Sequence, residues 1–276
     1  MTEAPTHSRK LASGPGWRAD DVTCRAGPGD RPFEEAHDGY TVAAVMAGTF
    51  RYRASHGAAV MAPGALLLGN HRGCFECSHT HGAGDRCLSF NFSGDFLEQV
   101  ARGAPGAGGV VFESPRIAPQ PALEWLFADA EIAREDGDGQ ELADIALRIA
   151  GAALALCGQT AALRPPSSGD ERRVAQAIRL IEDDPARSVD LDGMSGEAAT
   201  SRYHFLRVFR AVTGETPYQF VLRRRMRQAA VRLRTSADPV SAIAFDAGFG
   251  DLSTFNRRFR RIMGETPGSF RSRRVH

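Results

Sequence analysis

"GETPYQF" at Gly214–Phe220 and "GETPGSF" at Gly264–Phe270 lie fifty residues apart and agree at five of seven positions. Sliding the chain by the same interval pairs Phe205 with Phe255, Arg207 with Arg257, Phe209 with Phe259, and Arg210 with Arg260. Each copy reads F-x-R-x-F-R, then G-E-T-P and a closing Phe. Two copies are too few for a solenoid, so each is a small folding unit in its own right.

Placing "SRYHFLRVFRAV" on a helix sorts its residues into two faces. Phe205, Val208, Phe209 and Val212 follow the i, i+3, i+4, i+7 spacing of a core stripe. Arg202, Tyr203, Leu206, Arg207 and Arg210 fall on the opposite side, with Ser201 where an N-cap belongs. In "DLSTFNRRFRRI", Phe255, Phe259 and Ile262 turn inward. Leu252, Ser253, Asn256, Arg257 and Arg260 turn outward, and Asp251 caps. A shorter helix precedes each: "VSAIAFDAGFGD" before the second copy and, with less regularity, "VDLDGMSGEAAT" before the first. That order is helix-turn-helix, whose second helix enters the major groove. The alternative is a plain helical bundle with solvated arginine faces, and the doubling argues against it.

Between the units, "TPYQFVLRRRMRQAAVRLRTS" reads as one helix opened by Pro217. At 1.5 Å per residue its length is roughly 27 Å, a rod suited to holding two reading heads about one duplex turn apart. Its Arg223, Arg224, Arg225 and Arg227 are expected to reach phosphates, some of them being merely solvated. In this reading the repeat is mechanical: GETP closes one helix at its Gly and opens the next at its Pro.

Charge supports the division. The net charge is +1, but residues from Glu171 onward hold 20 Arg against 12 Asp and Glu, a net +8, leaving −7 for the first 170. A basic half suggests a polyanionic partner. "LRPPSSGDER" has linker chemistry. Upstream, residues 40 to 115 read as short β runs broken by Gly and Pro. Two helical segments follow, "PALEWLFADAEIARE" and "ELADIALRIAGAALALC". In the second, Leu142, Ile145, Ile149, Ala153 and Leu156 form a stripe that either covers its own β domain or meets a second copy. No apolar run reaches the roughly 18 residues of a membrane helix. The first residues lack the apolar core of a secretory signal, which places the chain in the cytoplasm. Five cysteines there are expected as thiols.

The last hundred residues resemble the DNA-binding domain of the AraC/XylS family of transcription regulators. "IAFDAGFGDLSTFNRRFRRIMGETPGSFR" is similar to the family signature almost throughout, and "SRYHFLRVFRAVTGETPYQF" to its first unit. The resemblance implies that Tyr203, Leu206, Arg207, Ser253, Asn256 and Arg257 face base edges. Gly193, Ser195 and Gly196 depart from it, weakening the first scaffold helix. "APGALLLGNHRG" and "DRCLSFNFSGDFLEQV" resemble the jelly-roll sensor domain of the same family. Between them, Gly73, His79, His81 and Asp85 resemble the cupin metal motif, with Asp where cupins carry Glu.

On a strand over residues 74–81, Phe75, Cys77, His79 and His81 share a face and Cys74 and Glu76 point away. Cys77, His79, His81, Asp85 and Cys87 are therefore the candidate ligands, suited to a transition metal such as Zn. A redox pair, an organic-ligand pocket and inert core thiols are the competing readings, while Cys24 and Cys157 read as structural.

The fold expected is α+β. A cupin-like jelly-roll with C-terminal helices fills residues 1–163, residues 164–170 form a linker, and an all-α domain of two helix-turn-helix units fills 171–276. The function expected is a non-enzymatic, DNA-binding transcription regulator and activator that answers to a metal ion, redox signal or small ligand. The resemblance adds RNA polymerase and a homodimer as partners. A metal-dependent cupin enzyme with a basic tail is the rival reading.

Overall fold

The computed structural model describes residues 6–82, 84–103, 110–157, 167–183 and 201–273. Its first half holds ten strands: β1 (Thr6–Gly14), β2 (Trp17–Cys24), β3 (Phe33–Ala36), β4 (Tyr40–Gly48), β5 (Phe50–Ala54), β6 (Gly57–Met61), β7 (Leu66–Gly69), β8 (Cys74–Ser78), β9 (Asp85–Phe92) and β10 (Arg116–Ile117). They form a six-stranded sheet, ordered β1-β2-β9-β4-β7-β10, and a four-stranded sheet, ordered β3-β8-β5-β6. Every pairing is antiparallel.

The larger sheet is covered on both faces, which explains the unbroken apolar run of β4. Val42, Ala44 and Met46 face one core, whereas Ala43 and Val45 face another. The second core lies between the sheets and includes Phe50, Tyr52, Met61, Cys77 and Cys87. Helices α1 (Gly94–Gly103), α2 (Glu124–Asp136) and α3 (Gly139–Leu156) lie over the other face. Leu142, Ile145, Ile149 and Ala153 are buried in that layer, and Leu156 packs against it. The α3 stripe thus serves its own β domain, not a second copy.

The strands begin at Thr6, well before the expected start near residue 40. Polar, exposed β1 is a sheet edge whose outward residues carry no hydrophobic alternation to read.

The second half is helical: α4 (Ser168–Asp183), α5 (Arg202–Thr213), α6 (Pro217–Thr235), α7 (Val240–Asp246), α8 (Leu252–Met263) and α9 (Pro267–Ser272). Helix α4 starts inside the expected linker. The first unit's scaffold segment, including Gly193, Ser195 and Gly196, lies outside the described residues. Each unit has its own core. Phe205, Val208, Phe209 and Val212 of α5 meet Val174, Ala177, Ile178 and Ile181 of α4. Phe255, Phe259, Met263 and Phe270 gather around Met226, Ala230 and Leu233 of α6. Neither core is closed by helices of the second half alone. Ala62 joins the first, and Ala128 and Ile132 of α2 join the second.

Candidate nucleic-acid interface and sensor cluster

The repeated GETP is a joint. Gly214 and Gly264 end α5 and α8 at φ 92° and 84°, a left-handed turn open to glycine at little cost. Thr216 and Thr266 then cap α6 and α9 by accepting from the backbone N–H of Gln219 and Ser269. Gln219 reaches back to complete a capping box, and Pro217 and Pro267 occupy first-turn positions where no N–H is needed. The glutamates bind arginines eight residues on: Glu215 pairs with Arg223 and Glu265 with Arg273. The fifty-residue repeat therefore extends to Arg223 and Arg273.

Helices α5 and α8 have the expected faces. Ser201 and Asp251 accept from the backbone N–H of His204 and Thr254, fixing their starts. Phe205, Val208, Phe209, Val212, Phe255 and Phe259 are buried, and Ile262 is half-buried. Arg202, Tyr203, Arg207 and Arg210 are exposed on α5, with Leu206 half-buried; Tyr203 is 78% exposed. Leu252, Ser253, Asn256, Arg257 and Arg260 are all exposed on α8. Among the described residues, no salt bridge joins Arg207, Arg210, Arg257 or Arg260 to a carboxylate, although Arg257 is close enough to Asp251 to help lower its pKa. Arg207 rests near His204 Nδ1 at 3.2 Å, and Arg257 near Thr254 Oγ1 at 3.4 Å.

The arginines of α6 depart from expectation. Arg223 pairs with Glu215 and, at 3.3 Å, with Glu124. Arg227 donates from Nε and Nη2 to Glu124 Oε2 at 3.1 and 2.7 Å. Arg224 pairs with Glu182 at 3.5 Å and donates to the Met46 carbonyl at 3.1 Å. Arg225, half-buried, donates to the Gly248 carbonyl at 3.4 Å. These side chains hold protein to protein and are not set out for phosphate. The signal for this was not local, since Glu124 and Glu182 are distant in sequence.

Helix α2 receives both units. Arg223 meets Glu124, and its repeat counterpart Arg273 meets Asp129. Burial raises the Asp129 pKa to about 6 although Arg273 opposes the shift, and burial raises that of Glu215 to about 7 against Arg223. On the other side of the first unit, Arg51 pairs with Glu171 of α4, and Asp170 lies 3.4 Å from His204 Nε2.

The cysteine and histidine cluster is only partly the one expected. His79 Nε2 and Asp85 Oδ2 are 2.6 Å apart. Cys24, read from the sequence as structural, joins them: one ligand atom from each of Cys24, His79 and Asp85 lies within 4.8 Å of the others. Pairing of β2 with β9 sets Cys24 directly opposite Asp85, a neighbourhood that spacing along the chain cannot reveal. Burial would lower the His79 pKa, but the neighbouring Asp85 and Cys24 outweigh it and raise the value to about 9.

His81 lies apart. Strand β8 stops at Ser78, and His81 reaches the surface, 3.2 Å from Ser168 Oγ. Cys77 and Cys87 sit in the inter-sheet core, where burial first and Asp85 second push both thiols well up. Protonated, buried thiols are poor nucleophiles, which disfavours the redox reading. A cleft of about 340 Å³ beside the cluster is lined by Arg51, His79, His81, Ser168 and Glu171 among others. No described helix is long and apolar enough to cross a membrane.

A helix-turn-helix domain model matches residues 194–273. Regulatory protein SoxS of Salmonella typhimurium is 34% identical over 96 residues, covering 35% of this chain and 90% of SoxS. SoxS of Escherichia coli K12 is 32% identical over 103 residues, covering 37% and 96%. An "AraC-like transcription regulator" of Streptomyces antibioticus is 34% identical over 98 residues; the chain spans 32% of its length. Among solved structures, the AdpA DNA-binding domain in complex with target DNA aligns over 36% of this chain at 29% identity and TM-score 0.35. Fatty-acid-bound ToxT from Vibrio cholerae aligns over 94% at 11% identity and TM-score 0.37.

Proposed function

The chain belongs to the AraC/XylS family of transcription regulators, and on that premise we propose that it reads promoter DNA with α5 and α8 to activate transcription. The carrying observation is the repeated face: two capped helices, fifty residues apart in register, each present arginines without salt bridges among the described residues over a buried phenylalanine pair. Arg207 and Arg257 have the donor fork for guanine O6 and N7, Asn256 suits adenine, and Leu206 suits a thymine methyl. Phosphate contacts fall to Arg210, Arg260 and the helix N-termini, because the α6 arginines are engaged with protein.

The signal enters through the β domain and acts on the units by way of α2 and α4. RNA polymerase and a second copy of the chain are the expected partners, although the α3 stripe is not the dimer surface. The enzyme rival is the weaker reading: His79, its best candidate base, is paired with Asp85 in a buried cluster.

The test is selection of duplexes from a random pool by the purified full chain, followed by footprinting. The expected outcome is two protected patches on one duplex face, about 10 bp apart, with log affinity falling steeply with log salt. An unenriched pool, or a single patch unchanged by Arg257→Ala, would overturn the reading.

A further inference from the structure

We infer that Cys24, His79 and Asp85 form a binding site for one borderline-soft transition-metal dication such as Zn²⁺, entered from the cleft beside His81. The three residues end or begin strands: Cys24 closes β2, Asp85 opens β9 and His79 follows β8. Strand pairing thus fixes two ligands and the end of β8 delivers the third. Their ligand atoms already lie within 4.8 Å of one another. Zinc bonds of about 2.0–2.3 Å to O, N and S place neighbouring ligands roughly 3.3–3.8 Å apart, so closure needs about 1 Å of adjustment.

His79 faces Asp85 with Nε2, the nitrogen that the metal would take, and Nδ1, buried and without a hydrogen-bond partner among the described residues, lies on the other side of the ring. Thiolate, imidazole and carboxylate together favour Zn²⁺, Co²⁺ or Ni²⁺ over Mg²⁺ or Ca²⁺. Three protein ligands leave a fourth position for water or an exchangeable ligand. The cleft lined by His79 supplies an entry path. On binding, the Cys24 thiol proton and the proton held between His79 and Asp85 pass to solvent, and the metal takes their place.

The cleft also explains how occupancy would be felt. Its far wall is the start of α4, through Ser168 and Glu171, which contact His81 and Arg51. Helix α4 packs on the first reading helix through Val174, Ile178 and Ile181. A cation set between His79 and Asp85, now 2.6 Å apart, spreads that pair and draws Cys24 in, which shifts the ends of β8 and β9 and with them α4 and α5. This coupling rests on the DNA-reading proposal; the site itself does not.

The test is Co²⁺ titration of the purified full chain with metal-free controls, read by thiolate-to-cobalt charge-transfer absorption and displaced by Zn²⁺. About one equivalent per chain is expected to bind, as for a single ligand set. Cys24→Ser should abolish the charge-transfer band, and His79→Gln should weaken binding by about 100-fold or more. His81→Ala and Cys74→Ser should bind as the parent does, and far-UV circular dichroism establishes that each variant is folded.

No band in the parent chain, or a band that survives Cys24→Ser, would overturn the site. Equal loss in His81→Ala would transfer it to a different ligand set. For the coupling, Zn²⁺ should change affinity for the selected duplex by about tenfold in the parent and not in Cys24→Ser. Metal bound without that change overturns the coupling alone. Metal bound by a chain that selects no duplex overturns the DNA-reading proposal and leaves the site standing.

Discussion

Replacing Glu124 by Gln tests whether α2 truly holds the α6 rod. The Glu124 side chain is 1% exposed and those of Arg223 and Arg227 are 8% and 10% exposed, so little water screens the three charges. Oε2 accepts two bonds from Arg227, and Oε1 lies 3.3 Å from Arg223 Nη1. With Glu215 also on Arg223, two guanidiniums meet two carboxyl groups, and the group becomes neutral once Glu215 ionises at about pH 7. Gln keeps an oxygen for Arg227 but leaves two buried cations facing one anion.

Breaking a buried pair from one side costs about 3–5 kcal/mol. Retention of one acceptor places Glu124→Gln at the low end, about 3 kcal/mol. Urea unfolding followed by the fluorescence of neighbouring Trp125 measures it. The control is Glu135→Gln: Glu135 pairs with Arg134 at the surface, and its loss should cost under about 0.5 kcal/mol. A loss below about 1 kcal/mol in Glu124→Gln, or one equal to the control, would refute the clamp.

Arg260→Ala should lower the slope of log affinity against log salt by about 0.9, as loss of one phosphate contact requires, whereas Arg224→Ala should leave the slope unchanged. The two repeat glycines should respond unequally. Gly264→Ala meets no atom within 4 Å and costs only the left-handed backbone, about 1–2 kcal/mol. Gly214→Ala also drives its Cβ to 2.8 Å from Ala118 Cβ and should cost more in the same thermal melt. The contribution of Glu215 to stability should fall as pH rises from about 4.5 to about 7, while that of His37, held down to about 4 by burial, rises over much of the same range. Glu215 in the folded chain holds its proton up to about 7, against 4.5 when unfolded, so its contribution is full at low pH and lost above that window. That shift corresponds to at most about 3 kcal/mol, and Glu215→Gln should remove this falling contribution in urea titrations at successive pH values.

What could be read from the sequence was what is local. The faces of α5 and α8, their caps at Ser201 and Asp251, and the opening of α6 at Pro217 depend on neighbours within a turn or two. So does the burial of Phe205, Phe209, Phe255 and Phe259. What failed was set by long-range pairing. Cys24 stands beside Asp85 because β2 runs antiparallel to β9, and no spacing rule carries that across sixty residues. His81 left the cluster because β8 ends at Ser78, a boundary the motif does not mark. Strand β1 was missed because an edge strand needs no apolar alternation.

The α6 arginines show why charge along a helix is weak evidence for a nucleic-acid surface. Arg223, Arg224 and Arg227 recur at helical spacing, as a phosphate-facing row would, and yet all three meet carboxylates from elsewhere in the chain. What separates them from Arg257 and Arg260 is the repeat. Arg223 and Arg273 occupy equivalent places, each bound first to the Glu of its own GETP joint and then to an acid of α2, five residues apart. A single helix of the first half, α2, therefore grips the same point of both units. Because Ala128 and Ile132 of that helix also complete the second unit's core, a change in its placement must alter the second unit's packing or move both units together. The arginines exposed on α5 and α8 that are proposed for DNA, Arg207, Arg210, Arg257 and Arg260, are then ones that α2 and α4 leave without salt bridges, and the relation between α5 and α8 is set from the β domain as well as by the length of the rod.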